Sequence, residues 1–98
     1  MQVRIIRSYR DIVTICDSDL IGKYFEQDKF QLDVKESFYK GDLKTEDEVF
    51  KIIQDMKRED ATFNVVGEKS IKTAIKAGLI NKNSIKTIQG IPFSLTLL

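Results

Sequence analysis

The sequence predicts an α+β protein: one mixed β-sheet of about five strands with two α-helices packed against it, in the order β-β-β-α-β-α-β. Three observations carry that expectation. Short β-branched runs at residues 3–7, 12–16 and 62–66 read as strands. Residues 30–35 alternate apolar and polar as a half-buried strand does, and two later stretches carry apolar stripes at helical spacing. With 98 residues, 42% hydrophobic and 32% charged, the chain has apolar mass for one core and too little net charge for disorder, so a single domain over residues 1–98 is expected.

The elements follow in order. Val3-Arg4-Ile5-Ile6-Arg7 and Ile12-Val13-Thr14-Ile15-Cys16 are joined by Ser8-Tyr9-Arg10-Asp11, a polar link of hairpin length. Residues 17–23 open with turn formers and hold Gly22, which reads as a loop or one helical turn. In the next strand, Phe30, Leu32 and Val34 are expected to face the core. Thr45 with Glu48 three residues on makes a capping box, and Val49, Ile52, Ile53 and Met56 then form the buried stripe of a helix ending near Arg58. A strand at residues 62–66 ends at Gly67. It is followed by a second helical stripe, Ile71, Ala74, Ile75 and Leu79, with Gly78 as a left-handed C-terminal cap. Residues 85–88 read as another strand, and Pro92 confines residues 91–98 to an edge strand or an extended tail.

Composition excludes whole classes of chemistry. There is no histidine, so Ser/His and Cys/His nucleophile pairs, an imidazole general base and an ordinary Cys/His zinc site are all absent. Cys16 is the single cysteine, which rules out an intramolecular disulfide and reads best as a small buried hydrophobe. No leader-like pattern stands at the N-terminus and no apolar run approaches the roughly 20 residues of a membrane span, so a cytoplasmic protein is expected. Nothing calls for a cofactor or metal.

Charge is unevenly distributed. Residues 1–16 carry three arginines against Asp11, a balance of +2; residues 17–60 carry eight basic against thirteen acidic side chains, or −5; residues 61–98 carry five lysines against Glu68, or +4. Basic ends around an acidic middle can mark a nucleic-acid-facing side, or simply a mixed solvated surface. The sharpest local feature is Val66-Gly67-Glu68-Lys69-Ser70 leading into a helix, because a glycine turn at a helix N-terminus presents free N–H groups to an anion. It is not a P-loop, since Thr62 stands where the first glycine belongs and Glu68 separates Gly67 from Lys69. Gly67, Lys69, Ser70, Lys72 and Lys76 are therefore the candidate anion- or RNA-binding residues, the lysines forming a row off the apolar stripe. A second candidate pocket would use Asp33, Glu36 and Tyr39, where carboxylates crowd a tyrosine at a strand end; a solvated strand end is the plainer reading. Aromatic–basic neighbours at Tyr9, Tyr24 and Tyr39 add a weak stacking signal, with no RNA-binding signature beside it.

One ordered set of residues goes further. Cys16-Asp17, Leu20-Ile21-Gly22-Lys23, Glu36-Ser37-Phe38-Tyr39-Lys40-Gly41, Val66-Gly67-Glu68-Lys69-Ser70, Gly78-Leu79-Ile80 and Gly90-Ile91-Pro92 together resemble an archaeal family, domain of unknown function 424. The resemblance spans essentially the whole chain. It implies a small archaeal cytoplasmic protein and supplies no activity. The family pattern often has histidine after the C-terminal proline, where this chain has Phe93, so a histidine-based activity would be lost here.

Residues and resemblance together favour a non-enzymatic binding module of RNA or of translation-linked ribonucleoprotein, meeting phosphates at the Gly67 turn and the lysine row. The alternatives are a protein or enzyme for a phosphorylated or carboxylated metabolite, whose pocket would join Asp33, Glu36 and Tyr39 to the Gly67 turn, and an interaction module. In the last, residues 91–98 would add a strand to a partner or form a homodimer.

Overall fold

Alternating apolar residues at the N-terminus place Val3, Val13 and Ile15 on one face of a strand pair. In the computed structural model, which describes residues 1–96, that pair is antiparallel: β1 (Gln2–Ile6) runs against β2 (Ile12–Cys16), with Val3 opposite Ile15. β2 pairs in parallel with β6 (Thr62–Val66), so that Cys16 lies beside Val66 and the two strands end together. The sheet has six strands in the order β5-β1-β2-β6-β8-β7, with β5 (Asp42–Leu43), β7 (Lys86–Ile88) and β8 (Ile91–Thr96) completing it. The mixed sheet of an α+β fold is thus as the pattern predicted, one strand larger.

Two helices cover one face. In α2 (Glu46–Arg58) the capping box forms in full: the Glu48 N–H donates to Thr45 Oγ1 at 3.2 Å and the Thr45 N–H donates to Glu48 Oε1 at 3.0 Å. Val49, Ile53 and Met56 are buried, while Ile52 sits at the margin. α3 (Glu68–Lys76) ends in a Schellman motif, in which the Gly78 N–H reaches the Ile75 carbonyl and the Leu79 N–H reaches that of Ala74, both at 3.0 Å. Gly78, at φ 73°, supplies the left-handed residue this closure needs. Between helices and sheet lies a core of Val3, Val13, Ile15, Val49, Ile53, Phe63, Val65, Ile71 and Ala74.

The opposite face carries a separate layer, in which the strand expected at residues 30–35 forms outside the large sheet and beside a partner strand that the periodicity left out. Residues 24–33 are a separate two-stranded sheet, β3 (Tyr24–Gln27) and β4 (Phe30–Asp33), turning at Asp28 with φ 56°. With the one-turn helix α1 (Glu36–Tyr39) and a 3-10 turn at Ser18–Leu20, this hairpin buries a second core of Cys16, Leu20, Leu32, Val34, Tyr39, Val66 and Ile88. Leu32 and Val34 face inward as expected. Phe30 does not: it sits at the hairpin tip, beyond the edge of that core, 68% exposed.

The expectation for the C-terminal segment is overturned. β8 lies between β6 and β7, bonded on both sides, instead of at an edge. Pro92 is tolerated because its carbonyl accepts from the Gly67 N–H at 2.9 Å, while the Gly67 carbonyl that would have needed a Pro92 donor has turned to accept from Ile71 in α3. β7 covers residues 91–93 of this strand and β6 covers residues 93–96; residues 97 and 98 lie outside the described residues. No helix among the described residues is long and apolar enough to cross a membrane.

Candidate functional site: a lysine-lined cleft beside a self-capped helix

The parallel pairing of β2 and β6 brings the residues after each strand side by side. Asp17 follows β2, and Gly67 follows β6 at the start of α3. Asp17 is 8% exposed and its carboxylate fills the helix N-terminus. Oδ2 accepts from the Lys69 N–H at 3.1 Å, and Oδ1 accepts from the Ser70 N–H at 2.9 Å and the Ser70 hydroxyl at 2.7 Å. Gly67 permits this approach twice over: its φ of 108° disfavours any side chain, and a Cβ there would overlap the Asp17 carboxylate. The anion-ready turn read from Gly67 and Ser70 is real, and the anion is the chain's own. Sequence reasoning passed over Asp17 because its role appears only once β2 and β6 are known to be parallel neighbours.

The lysines point elsewhere. Lys69, Lys72 and Lys76 are exposed on α3 and line a cleft of about 360 Å3 together with Met1, Lys44, Thr45, Glu46 and Thr73. Lys76 pairs with Glu46 at 2.8 Å, which holds the Glu46 carboxyl below its usual range and the Lys76 ammonium above its own, the shared hydrogen bond being the main cause of both. Lys44, Lys69 and Lys72 form no ion pair among the described residues. Lys44 went unnoticed because it belongs to the acidic middle of the chain and no local pattern singles it out. Only the β5–α2 junction, which leads straight into the α2 capping box, sets it across from α3.

The second candidate group does not assemble with the Gly67 turn. The clefts at that turn are lined by Asp17, Asp19, Glu68 and their neighbours, without Asp33, Glu36 or Tyr39. Asp33 lies near Lys35 at 4.0 Å, Glu36 pairs with Lys40 at 3.3 Å, and Tyr39 is a core residue whose ring meets Phe38 edge-on at 5.0 Å. Burial is the main cause that raises the Tyr39 hydroxyl pKa above its ordinary value. Burial also pushes the Cys16 thiol up to about 12, with Asp17 and Asp19 adding to it, so Cys16 is a protonated core residue rather than a nucleophile. Among the described residues no cluster of three or more acidic or cysteine side chains could hold a metal ion.

Fold and cleft together define a three-layered α+β protein with a group of lysines gathered between α3 and the start of α2. The chain belongs to the family described as Protein of unknown function (DUF424), which matches residues 6–97. Its fold is similar to the crystal structure of an uncharacterized conserved protein from Methanopyrus kandleri, with a TM-score of 0.84 at 23% identity over 97% of this chain and 88% of that one. No curated protein matches it in sequence.

Proposed function

We propose that the chain is a non-enzymatic binding module for the phosphate backbone of RNA, acting in the cytoplasm within RNA- or translation-linked machinery. The observation that carries this reading is the cleft in which Lys44, Lys69, Lys72 and Lys76 face a single carboxylate, Glu46. Three of these four cations form no ion pair among the described residues, so phosphates would gain charge-assisted bonds without first breaking one. No aromatic side chain lines the cleft, which favours phosphates over stacked bases as its occupants. Gly67 and Ser70 serve this reading indirectly, through the Asp17 cap that fixes the start of α3 and with it the direction of the lysine row.

The test is the salt dependence of affinity for a structured RNA. Lys69→Glu with Lys72→Glu should weaken binding roughly tenfold or more at moderate salt and flatten the log–log salt slope by about 0.7–0.9 for each phosphate no longer neutralised. An unchanged slope would discard the reading.

A further inference from the structure

A second cleft, of about 600 Å3, adjoins the lysine cleft and shares Lys44 with it. It is lined by Val3, Ile5 and Ile52 and ringed by Arg4, Arg7, Lys40 and Lys44, with Asp42 as its one carboxylate. It runs along an unfinished edge of the large sheet. β5 pairs with β1 only at Gln2 and Val3. Met1 exchanges bonds with Lys44 on that side, its carbonyl accepting at 2.8 Å and its amine donating at 3.3 Å. Strand alternation therefore turns the N–H and C=O of Val3 and Ile5 the same way. Val3 meets Asp42; Ile5, paired with Val13 of β2 on its other side, meets no strand here among the described residues. An exposed half-paired edge is a template for another strand.

We propose that this groove binds an extended acidic segment of a partner protein by strand addition to β1. The backbone of the segment would pair with Ile5, its apolar side chains would lie over Ile5 and Ile52, and its carboxylates would meet the ring of cations. Charge selects this occupant. A second copy pairing β1 to β1 would set Arg4 and Arg7 against themselves, and the far edge of the sheet, β7, offers Lys86. RNA is less suited, because the floor is aliphatic and the free groups are a backbone donor and acceptor at strand spacing. Arg7 is already paired with Asp11 and Lys40 with Glu36, but both pairs are solvent-exposed, and such pairs are weak enough to exchange for a partner's carboxylates. Arg4 donates to the Ser37 carbonyl and forms no ion pair among the described residues.

The experiment uses the full chain, a labelled peptide of alternating glutamate and isoleucine or valine, and the same peptide N-methylated at alternate amides. Anisotropy should show saturable binding of the first, lowered at least tenfold by N-methylation and by Arg7→Glu, with the Ile5 amide protected from hydrogen exchange. The Lys69→Glu, Lys72→Glu pair should leave it unchanged, which separates this groove from the phosphate reading. Equal binding of the N-methylated peptide, displacement of the peptide by RNA that itself covers Ile5 and Ile52, concentration-dependent dimerisation that protects Ile5, or no binding would each overturn the proposal.

Discussion

Asp17 and Ser70 lie 53 positions apart and work as one unit. A helix of nine residues is too short to hold itself in water, so α3 depends on its packed stripe and on its cap. Side-chain caps contribute typically about 1 kcal/mol, and leaving a buried hydroxyl without its acceptor adds about 1–3 kcal/mol. Asp17→Ala should therefore destabilise the protein by about 2–4 kcal/mol in denaturant unfolding, because Ser70 is fully buried and has no water to turn to. Asp17→Asn retains one acceptor and should cost less than half of that. Equal effects from the two variants would show that the negative charge and second oxygen, which asparagine lacks, carry the whole contribution of the cap.

The elements written in local chemistry were legible. Ile12–Cys16 and Thr62–Val66 have their expected limits, the Thr45–Glu48 box opens α2, and Gly78 closes α3. Elements that depend on what lies across from them were not. β4 shows in its alternation, but its partner β3 has a mixed polar pattern in which Phe25 alone among the described residues packs inward, and β8 hides a strand between two others behind a proline. The candidate site divided along the same line: the lysine row shows in helical spacing, whereas Lys44 and Asp17 come from other elements. At this scale the capping box makes a prediction of its own. Thr45→Ala should lower stability by about 1 kcal/mol. Hydrogen bonding to Thr45 holds the Glu48 carboxyl below its ordinary value of 4.5. A depressed carboxyl stabilises the fold above the unfolded value and loses that contribution as pH falls through the folded one. The main donor to that carboxyl is the Thr45 backbone N–H, which Thr45→Ala keeps, so the pH dependence is read with Glu48→Gln, which should be less stable than the parent at neutral pH and converge with it in acid, a trend that pH-dependent thermal melts would register.

On the scale of the whole molecule, three stretches of opposite charge balance become one basic surface. Arg4 and Arg7 come from the N-terminal strand, Lys40 and Lys44 from the acidic middle, and Lys69, Lys72 and Lys76 from the basic last third. A net charge of +1 hides this, and of the acidic side chains only Asp42 and Glu46 line the two clefts, with Asp11 and Glu36 paired to Arg7 and Lys40 beside them. Two neighbouring clefts joined at Lys44 would let one protein meet a phosphate backbone and an acidic protein segment side by side.

The central position of β8 also sets an order of events during synthesis. Until residues 86–96 leave the ribosome, β6 has β2 on one side and nothing on the other, so its Phe63–Val66 edge stays open to the wrong strand. A chain ending at Gly90 freezes that moment. It should associate into sheet-rich aggregates detectable by light scattering, and a monodisperse, folded product would show that the first ninety residues shield the β6 edge by some other route. The β7–β8 hairpin is then the chain's own protection against mispairing, and it is made only after the strand it protects.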